Sequence, residues 1–314
     1  MRIVTQKVLG GPDVLEIAQA PRPEPIGTEV LVRVHAAGVN PVDWKTRSHG
    51  GFLGEPPFVL GWDVSGVVEA LGRGTTRFAA GDEVMGMPWF PRQAGCYGEY
   101  VTAPSRHFVK KPASLSHVQA AGLPLDGLTA WQALTDIAHL EKGQRVLINA
   151  AAGGVGHLAV QIAKARGAWV AGTASAGKHD FLKSLGVDQP VDYTRVDPGK
   201  ELNDLDLILD MVGGENCARL LPAVKPGGML IVVTGGVPED AASAAAARNV
   251  RTSGILVEPD YAGLEALARL IEDGKLKVHV ERTFPLEEVA EAHRQSETRH
   301  TTGKIVLSVA GVGT

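Results

Sequence analysis

The strongest chemical signal is Leu147-Ile148-Asn149-Ala150-Ala151-Ala152-Gly153-Gly154-Val155-Gly156. Before it runs a short apolar segment with strand character. After it, Val155, Leu158, Ala159, Ile162 and Ala163 follow helical spacing. Small residues at such a turn let backbone and ligand approach closely, and the helix start offers N–H groups and the positive end of its dipole. Ala152, Gly153, Gly154, Val155 and Gly156 are therefore candidate diphosphate-binding residues, and Gly156 also lets the helix pack against its strand. The turn departs from G-x-G-x-x-G at its first position, which is Ala151. A purely structural turn is the competing reading, but the strand–turn–helix context favours a bound dinucleotide.

The region around Thr173 discriminates between dinucleotides. An acid about 20 residues beyond the glycines normally grips the ribose hydroxyls of NAD. No acid occurs from Val170 to His179, whereas Ser175 and Lys178 do. A hydroxyl and an ammonium suit a 2′-phosphate, and Tyr193 adds a second hydroxyl at the end of the next strand. The expected cofactor is NADPH. For Lys178 the alternative is a solvated lysine at a helix start. Gly235 and Leu256 fall at carboxyl ends of later strands, where such sheets bind ligands.

These residues need a scaffold, and 314 residues suffice for two domains. The net charge is −4, with 31 basic and 35 acidic residues, which argues against nucleic-acid binding. Cys96 and Cys217 are too few for a disulfide framework or a four-cysteine zinc site, and read as reduced thiols. No apolar run approaches the roughly 18 residues needed to span a bilayer. Met1–Lys7 lacks a leader-like apolar run, so the expectation is a cytoplasmic protein without a membrane partner.

Two textures divide the chain. Up to about residue 123, short runs predict strands at Arg2–Leu9, Leu15–Ala20, Glu29–His35, Val64–Leu71, Glu83–Met87 and Tyr97–Ala103, a barrel or sandwich. Strand and helix patterns then alternate. Strands are predicted at Val146–Ala150, Trp169–Ala174, Val191–Tyr193, Leu205–Val212, Met229–Thr234 and Thr252–Leu256. The fold class is α/β, with a six-stranded, doubly wound parallel sheet. Helices at Tyr261–Asp273 and Leu286–Gln295 and a strand at Gly303–Leu307 follow. Because the parallel sheet is already full, this tail rejoins the first domain. The expected domains are 1–123 (catalytic, first part), 124–258 (cofactor-binding) and 259–314 (catalytic, return).

The stretch Gly143–Lys164 resembles the signature of the quinone oxidoreductase and zeta-crystallin branch of the medium-chain dehydrogenase/reductase superfamily. The resemblance extends to Ala36–Asp43, Gly127–Trp131 and Thr302–Val306, and so covers the whole chain. Asn40-Pro41-Val42-Asp43-Trp44-Lys45 is most similar to NADPH-dependent alkenal/enone reductases. The resemblance implies a GroES-like β-barrel catalytic domain beside the dinucleotide domain, and a homodimer. It implies that Thr129 contacts the nicotinamide carboxamide and that Lys304 reaches the nicotinamide side. Zinc-dependent members carry a ligand cysteine where this chain has Asn40, and Gly-His-Glu where it has Gly61-Trp62-Asp63; the third ligand position falls near Leu125. No metal is expected.

Without a metal, the remaining chemistry is hydride addition to a conjugated double bond, with the protein orienting the substrate and stabilising developing charge. The expected substrate is a small planar enone or enal, reduced at C=C. A quinone is the close alternative, and a non-catalytic NADPH-binding protein a weaker one. Lys45 is the candidate oxyanion donor, against a solvated loop lysine. Asn40 is either a nicotinamide-side contact or a hydrogen-bonded cap. Asp43 reads as a loop-holding carboxylate. Trp44, Phe52, Phe58 and Trp62 are candidate walls of an apolar pocket, or ordinary packing.

Overall fold

The computed structural model describes residues 1–309. The chain opens with β1 (Arg2–Gln6), β2 (Glu16–Gln19), β3 (Glu29–Val39), helix α1 (Pro41–His49), β4 (Phe58–Val59), β5 (Val64–Leu71), β6 (Glu83–Gly86), β7 (Tyr100–Pro104) and β8 (Phe108–Lys110). Helices α2 (His117–Ala121) and α3 (Pro124–Trp131) lead into an alternating stretch. It runs β9 (Arg145–Asn149), α4 (Gly154–Ala165), β10 (Trp169–Ala174), α5 (His179–Ser184), β11 (Gln189–Asp192), α6 (Pro198–Glu201), β12 (Leu205–Asp210), α7 (Asn216–Leu220), β13 (Val224–Val232), α8 (Glu239–Ala247) and β14 (Arg251–Gly254). Last come α9 (Tyr261–Glu272), β15 (Val280–Pro285), α10 (Val289–Glu297) and β16 (Lys304–Ser308). No helix among the described residues is long and apolar enough to cross a membrane.

The chain forms two compact units. One holds Thr129–Val257 with Asp273–Lys277; the other holds Met1–Leu128, Glu258–Glu272 and the described residues from Val278 onward. In the first of these, six strands pair in the order β11-β10-β9-β12-β13-β14, every pair parallel. Central strands covered on both faces must be apolar throughout, and Val146, Leu147 and Ile148 of β9 are all fully buried. The chain travels outward from β9 to β11 and then crosses back to β12. The carboxyl ends of β9 and β12 therefore flank the switch point, the ligand-binding position of such sheets. The Gln161 side chain on α4 donates to the Lys277 carbonyl (3.0 Å) and accepts from the Lys277 N–H (2.9 Å), which ties the short Asp273–Lys277 segment to this unit.

The other unit has a seven-stranded sheet, β15-β16-β3-β5-β6-β8 with β7 also on β3, and a three-stranded sheet, β2-β1-β4. Val30, Val32 and Val34 of β3 are buried in a core that also takes in Val4 of β1, Phe58 of β4 and Phe284 of β15. The late strand β16 pairs antiparallel with β3, from Ile305 opposite Val39 to Ser308 opposite Ala36. Two local expectations are corrected. Asn40–Lys45 is not a loop: Asn40 precedes α1, and Pro41, which lacks an N–H at a position where the helix needs none, begins it. Strand β15 was not anticipated, because only Phe284 of its residues is buried and its sequence shows no clear alternation.

Candidate active site

The glycine turn sits where β9 meets α4, and a row of buried polar groups holds it. The Thr173 hydroxyl at the end of β10 accepts from the Ala150 N–H (2.8 Å) and donates to Asn149 Oδ1 (2.6 Å). Asn149 Nδ2 donates to Asp210 Oδ1 at the end of β12 (2.7 Å). Asp210 in turn accepts from the Val212 and Gly213 N–H groups (2.9 and 3.1 Å). Three adjacent strand ends are thus fixed to one another, and Ala150 is held at φ 61°, a left-handed conformation uncommon outside glycine. Gly156 is required sterically: a Cβ there would lie 2.3 Å from the Ala150 carbonyl oxygen. The departure at Ala151 also has a structural counterpart. A Cβ on Gly172 of β10 would meet the Ala151 methyl at 2.9 Å, so the glycine on the neighbouring strand makes room for the alanine. Gly153 caps α4 without any side-chain hydrogen bond, leaving the helix start to backbone N–H groups.

The remaining residues singled out in this unit fall into two groups. Ser175 follows β10, Lys178 lies three residues further on, and Tyr193 follows β11 with half its surface exposed; Ser175 and Lys178 are part-exposed. They stand at the carboxyl ends of two neighbouring strands. Gly235, with nothing within 4 Å of a built Cβ, follows β13, and exposed Leu256 follows β14. Ala152 is buried, Gly153, Gly154 and Val155 part-exposed, and Thr129 lies buried on α3. Thr173 lies near the end of β10. It is 1% exposed and both roles of its hydroxyl are committed to the turn, so it shapes the loop from within.

In the other unit a second buried polar cluster surrounds Asn40. Its N–H donates to Asp43 Oδ2 (2.6 Å), its Nδ2 donates to Asp63 Oδ2 (2.8 Å), and its Oδ1 accepts from Lys304 Nζ. Lys304 Nζ also donates to Asp126 Oδ2 at 2.7 Å and lies 3.7 Å from Asp63 Oδ2. Asp63 Oδ1 accepts from the Leu125 N–H (2.6 Å), and the Tyr97 hydroxyl donates to Asp43 Oδ2 (2.9 Å). Burial pushes Asp43 up to about 7 and Asp63 to about 6, against the hydrogen bonds that favour their anions. Burial alone would lower Lys304, but the neighbouring Asp126 and Asp63 outweigh it and the net shift is upward. Asn40 is fully buried at the start of α1, with its side-chain nitrogen and oxygen both hydrogen-bonded. Lys304 is likewise buried, its ammonium turned into this cluster. Asp63, Asp126 and Tyr97 were not singled out from sequence; Asp63 stood in view within Gly61-Trp62-Asp63.

Lys45 projects from α1, half-buried, with its ammonium 5.7 Å from the Trp44 ring. The Arg299 guanidinium lies at the same distance from that ring. Burial, and then Arg299, lower the Lys45 pKa, and Lys45 makes no ion pair among the described residues. Phe52, Phe90 and Trp62 stack edge to face in series, with centroids 5.6 and 5.5 Å apart. Phe52 is half-exposed, whereas Trp62 is fully buried with its indole N–H on the Arg92 carbonyl. Phe58 belongs to the apolar core rather than to any pocket wall.

A parallel sheet with a glycine turn at its switch point, on a chain that also builds a mostly antiparallel sheet unit from early and late segments, defines a two-unit dinucleotide-dependent oxidoreductase. Residues 27–113 match the family described as alcohol dehydrogenase GroES-like domain, and residues 185–307 that described as zinc-binding dehydrogenase. A chloroplast envelope quinone oxidoreductase homolog of Arabidopsis thaliana is 34% identical over 95% of each chain. An NADPH-dependent alkenal/one oxidoreductase of the same plant is 36% identical over 95% of this chain and 77% of its own. The solved quinone oxidoreductase of Coxiella burnetii superposes with a TM-score of 0.93 at 38% identity, covering 98% of this chain and 99% of its own. The chain belongs to the medium-chain dehydrogenase/reductase superfamily, in its quinone oxidoreductase branch.

The zinc that one of those family descriptions names does not fit the residues present. Catalytic zinc takes three protein ligands from thiolate, imidazole or carboxylate. Here an amide, Asn40, stands where the resemblance implies a ligand thiolate in zinc-dependent members, and its nitrogen and oxygen are both hydrogen-bonded within the protein. The position of an imidazole holds Trp62, and an ammonium already lies against Asp63 and Asp126.

Proposed function

We propose that the protein reduces the C=C bond of small α,β-unsaturated ketones and aldehydes with NADPH. On the cofactor unit, the Gly153–Gly156 N–H groups take the diphosphate, and Ser175, Lys178 and Tyr193 the 2′-phosphate. Thr129, Gly235 and Leu256 complete the binding surface. NADPH supplies the hydride when bound. The observation that carries the reading is Lys45: a half-buried ammonium, beside a second cation, with no carboxylate partner among the described residues. Such a group is a donor awaiting negative charge. Hydride addition at the β-carbon moves an electron pair onto the carbonyl oxygen, and a Lys45 N–H steadies the resulting enolate. A proton reaches the α-carbon from water or a side chain. A quinone is the second reading, favoured by the quinone oxidoreductases among the relatives, since the same donor serves a conjugated dione.

NADPH oxidation with an enone panel and a quinone panel tests the reading. The saturated carbonyl is the expected product. Lys45→Ala should lower kcat by at least about tenfold, roughly 1.4 kcal/mol, with less effect on KM. Allylic alcohol as main product contradicts 1,4-addition, turnover of quinones alone moves the substrate to the second reading, and no turnover of either leaves a binding protein. We infer a homodimer working in the cytoplasm, where the buried free thiols Cys96 and Cys217 stay reduced.

A further inference from the structure

The cluster around Lys304 is costly unless its charges answer one another. Three carboxyl groups, Asp43, Asp63 and Asp126, are buried within one hydrogen-bonded group that contains a single cation. Each was stripped of water to get there, and an unpaired carboxylate in such surroundings is strongly disfavoured. Lys304 is delivered to this place by the fold. Its strand pairs with β3, and the register that sets Ile305 opposite Val39 puts Lys304 beside Asn40, where α1 begins. Gly303 before it has φ 68°, and a Cβ there would strike the His279 carbonyl oxygen at 2.3 Å, while the Lys304 N–H is held by that same carbonyl at 2.9 Å. Gly38 on β3 leaves room for the carboxylate: a Cβ there would lie 2.8 Å from Asp63 Oδ2.

We propose that this is a cation site filled by the chain itself: the Lys304 ammonium, tethered to β16, neutralises Asp63 and Asp126 and, through Asn40 Oδ1, fixes the start of α1. The misfit to zinc noted above then has a cause, since the positive charge a metal would bring is already present on a side chain. Lys304 is accordingly a positioning residue. It touches Asn40, which precedes the helix that carries Lys45, and Asp63, which holds the Leu125 N–H in the first turn of α3.

The test is chemical rescue of the full chain. Lys304→Ala leaves two carboxylates and an amide oxygen facing a vacated ammonium position. Its Tm should fall by on the order of 10 °C. Methylammonium at about ten times its Kd should return roughly 3–6 °C, while tetramethylammonium and sodium at equal ionic strength should not. The deficit should also depend on pH. Without the ammonium, buried Asp63 holds its proton more tightly folded than unfolded, so the penalty is full at high pH and shrinks as pH falls toward about 4. Should Lys304→Ala fail to fold, Lys304→Met and the double variant Lys304→Met/Asp126→Asn replace it. The double variant, which removes a carboxylate together with its cation, should be the more stable of the two. A Lys304→Ala protein as stable as wild type, equal response to methylammonium and tetramethylammonium, a pH-independent deficit, or a double variant no better than Lys304→Met would each overturn the proposal.

Discussion

Replacing Thr173 by valine separates a residue that shapes the glycine turn from one that touches the cofactor. Valine keeps the shape and removes the hydroxyl. Two groups then lose their partner, the part-buried Ala150 N–H at 2.8 Å and the buried Asn149 Oδ1 at 2.6 Å. An unsatisfied buried donor or acceptor costs about 1–3 kcal/mol, so the pair costs about 2–6 kcal/mol. The added methyl, in a site only 1% exposed, recovers part of this, leaving a loss on the order of 3 kcal/mol. That corresponds to a Tm lower by roughly 6–12 °C. Calorimetry and urea unfolding should show the loss in cofactor-free protein, and NADPH titration at low temperature should show weakened binding as Ala150 relaxes from its left-handed conformation. A valine variant that melts like wild type yet has lost NADPH affinity would refute the reasoning, since the hydroxyl would then be a direct ligand contact.

Other outcomes follow from the same geometry. NADPH should bind at least about tenfold more tightly than NADH by calorimetry, and Lys178→Ala should erase most of that preference by weakening NADPH, because one charge-assisted phosphate contact contributes roughly 1.5–3 kcal/mol. Elemental analysis of dialysed protein should find no stoichiometric zinc, and chelators should leave turnover intact; one zinc retained per chain would contradict the reading of Asn40 and Lys304. Acid stability should reveal His117, which burial, and then stacked His35, hold down at about 4, against an ordinary value of 6.5. The imidazole stays neutral in the fold while the unfolded chain takes up the proton. Stability is therefore full above about pH 6.5 and falls as pH drops toward 4. In Tm-against-pH curves His117→Phe should lose that contribution, so its difference from wild type should shift steadily in the variant's favour on acidification.

The parallel sheet was legible because its strands are apolar on both faces and separated by amphipathic helices. Trp169–Ala174 was placed to the residue, and Leu205–Asp210 lost only its overextended end. Val64–Leu71 in the other unit was read just as well. Helix α1 was not: it buries Asp43, Thr46 and Arg47 rather than an apolar stripe, so no hydrophobic period announces it. The glycine turn was visible as a contiguous motif, while the row that holds it joins Thr173, Asn149 and Asp210 from three strands. The cluster around Lys304 was harder still, since Lys304 meets Asn40 across 264 positions and Asp126 across 178. Composition and spacing register neighbours along the chain; those partners are neighbours only through the pairing of β16 with β3.

That pairing has a consequence for biogenesis. A ribosome releases β3 well before β16, whereas Thr129–Val257 emerges in one continuous stretch between them. The six-stranded parallel sheet can assemble while the chain is still growing, but the seven-stranded sheet waits for β16. Until Lys304 emerges, Asp63 and Asp126 have no cation to accompany them out of water, so the electrostatics of that cluster favour leaving it hydrated. Completion of that unit therefore waits for β16, and a nascent chain stalled before β16 should carry a protease-resistant parallel sheet and an amino-terminal segment that is still readily cleaved.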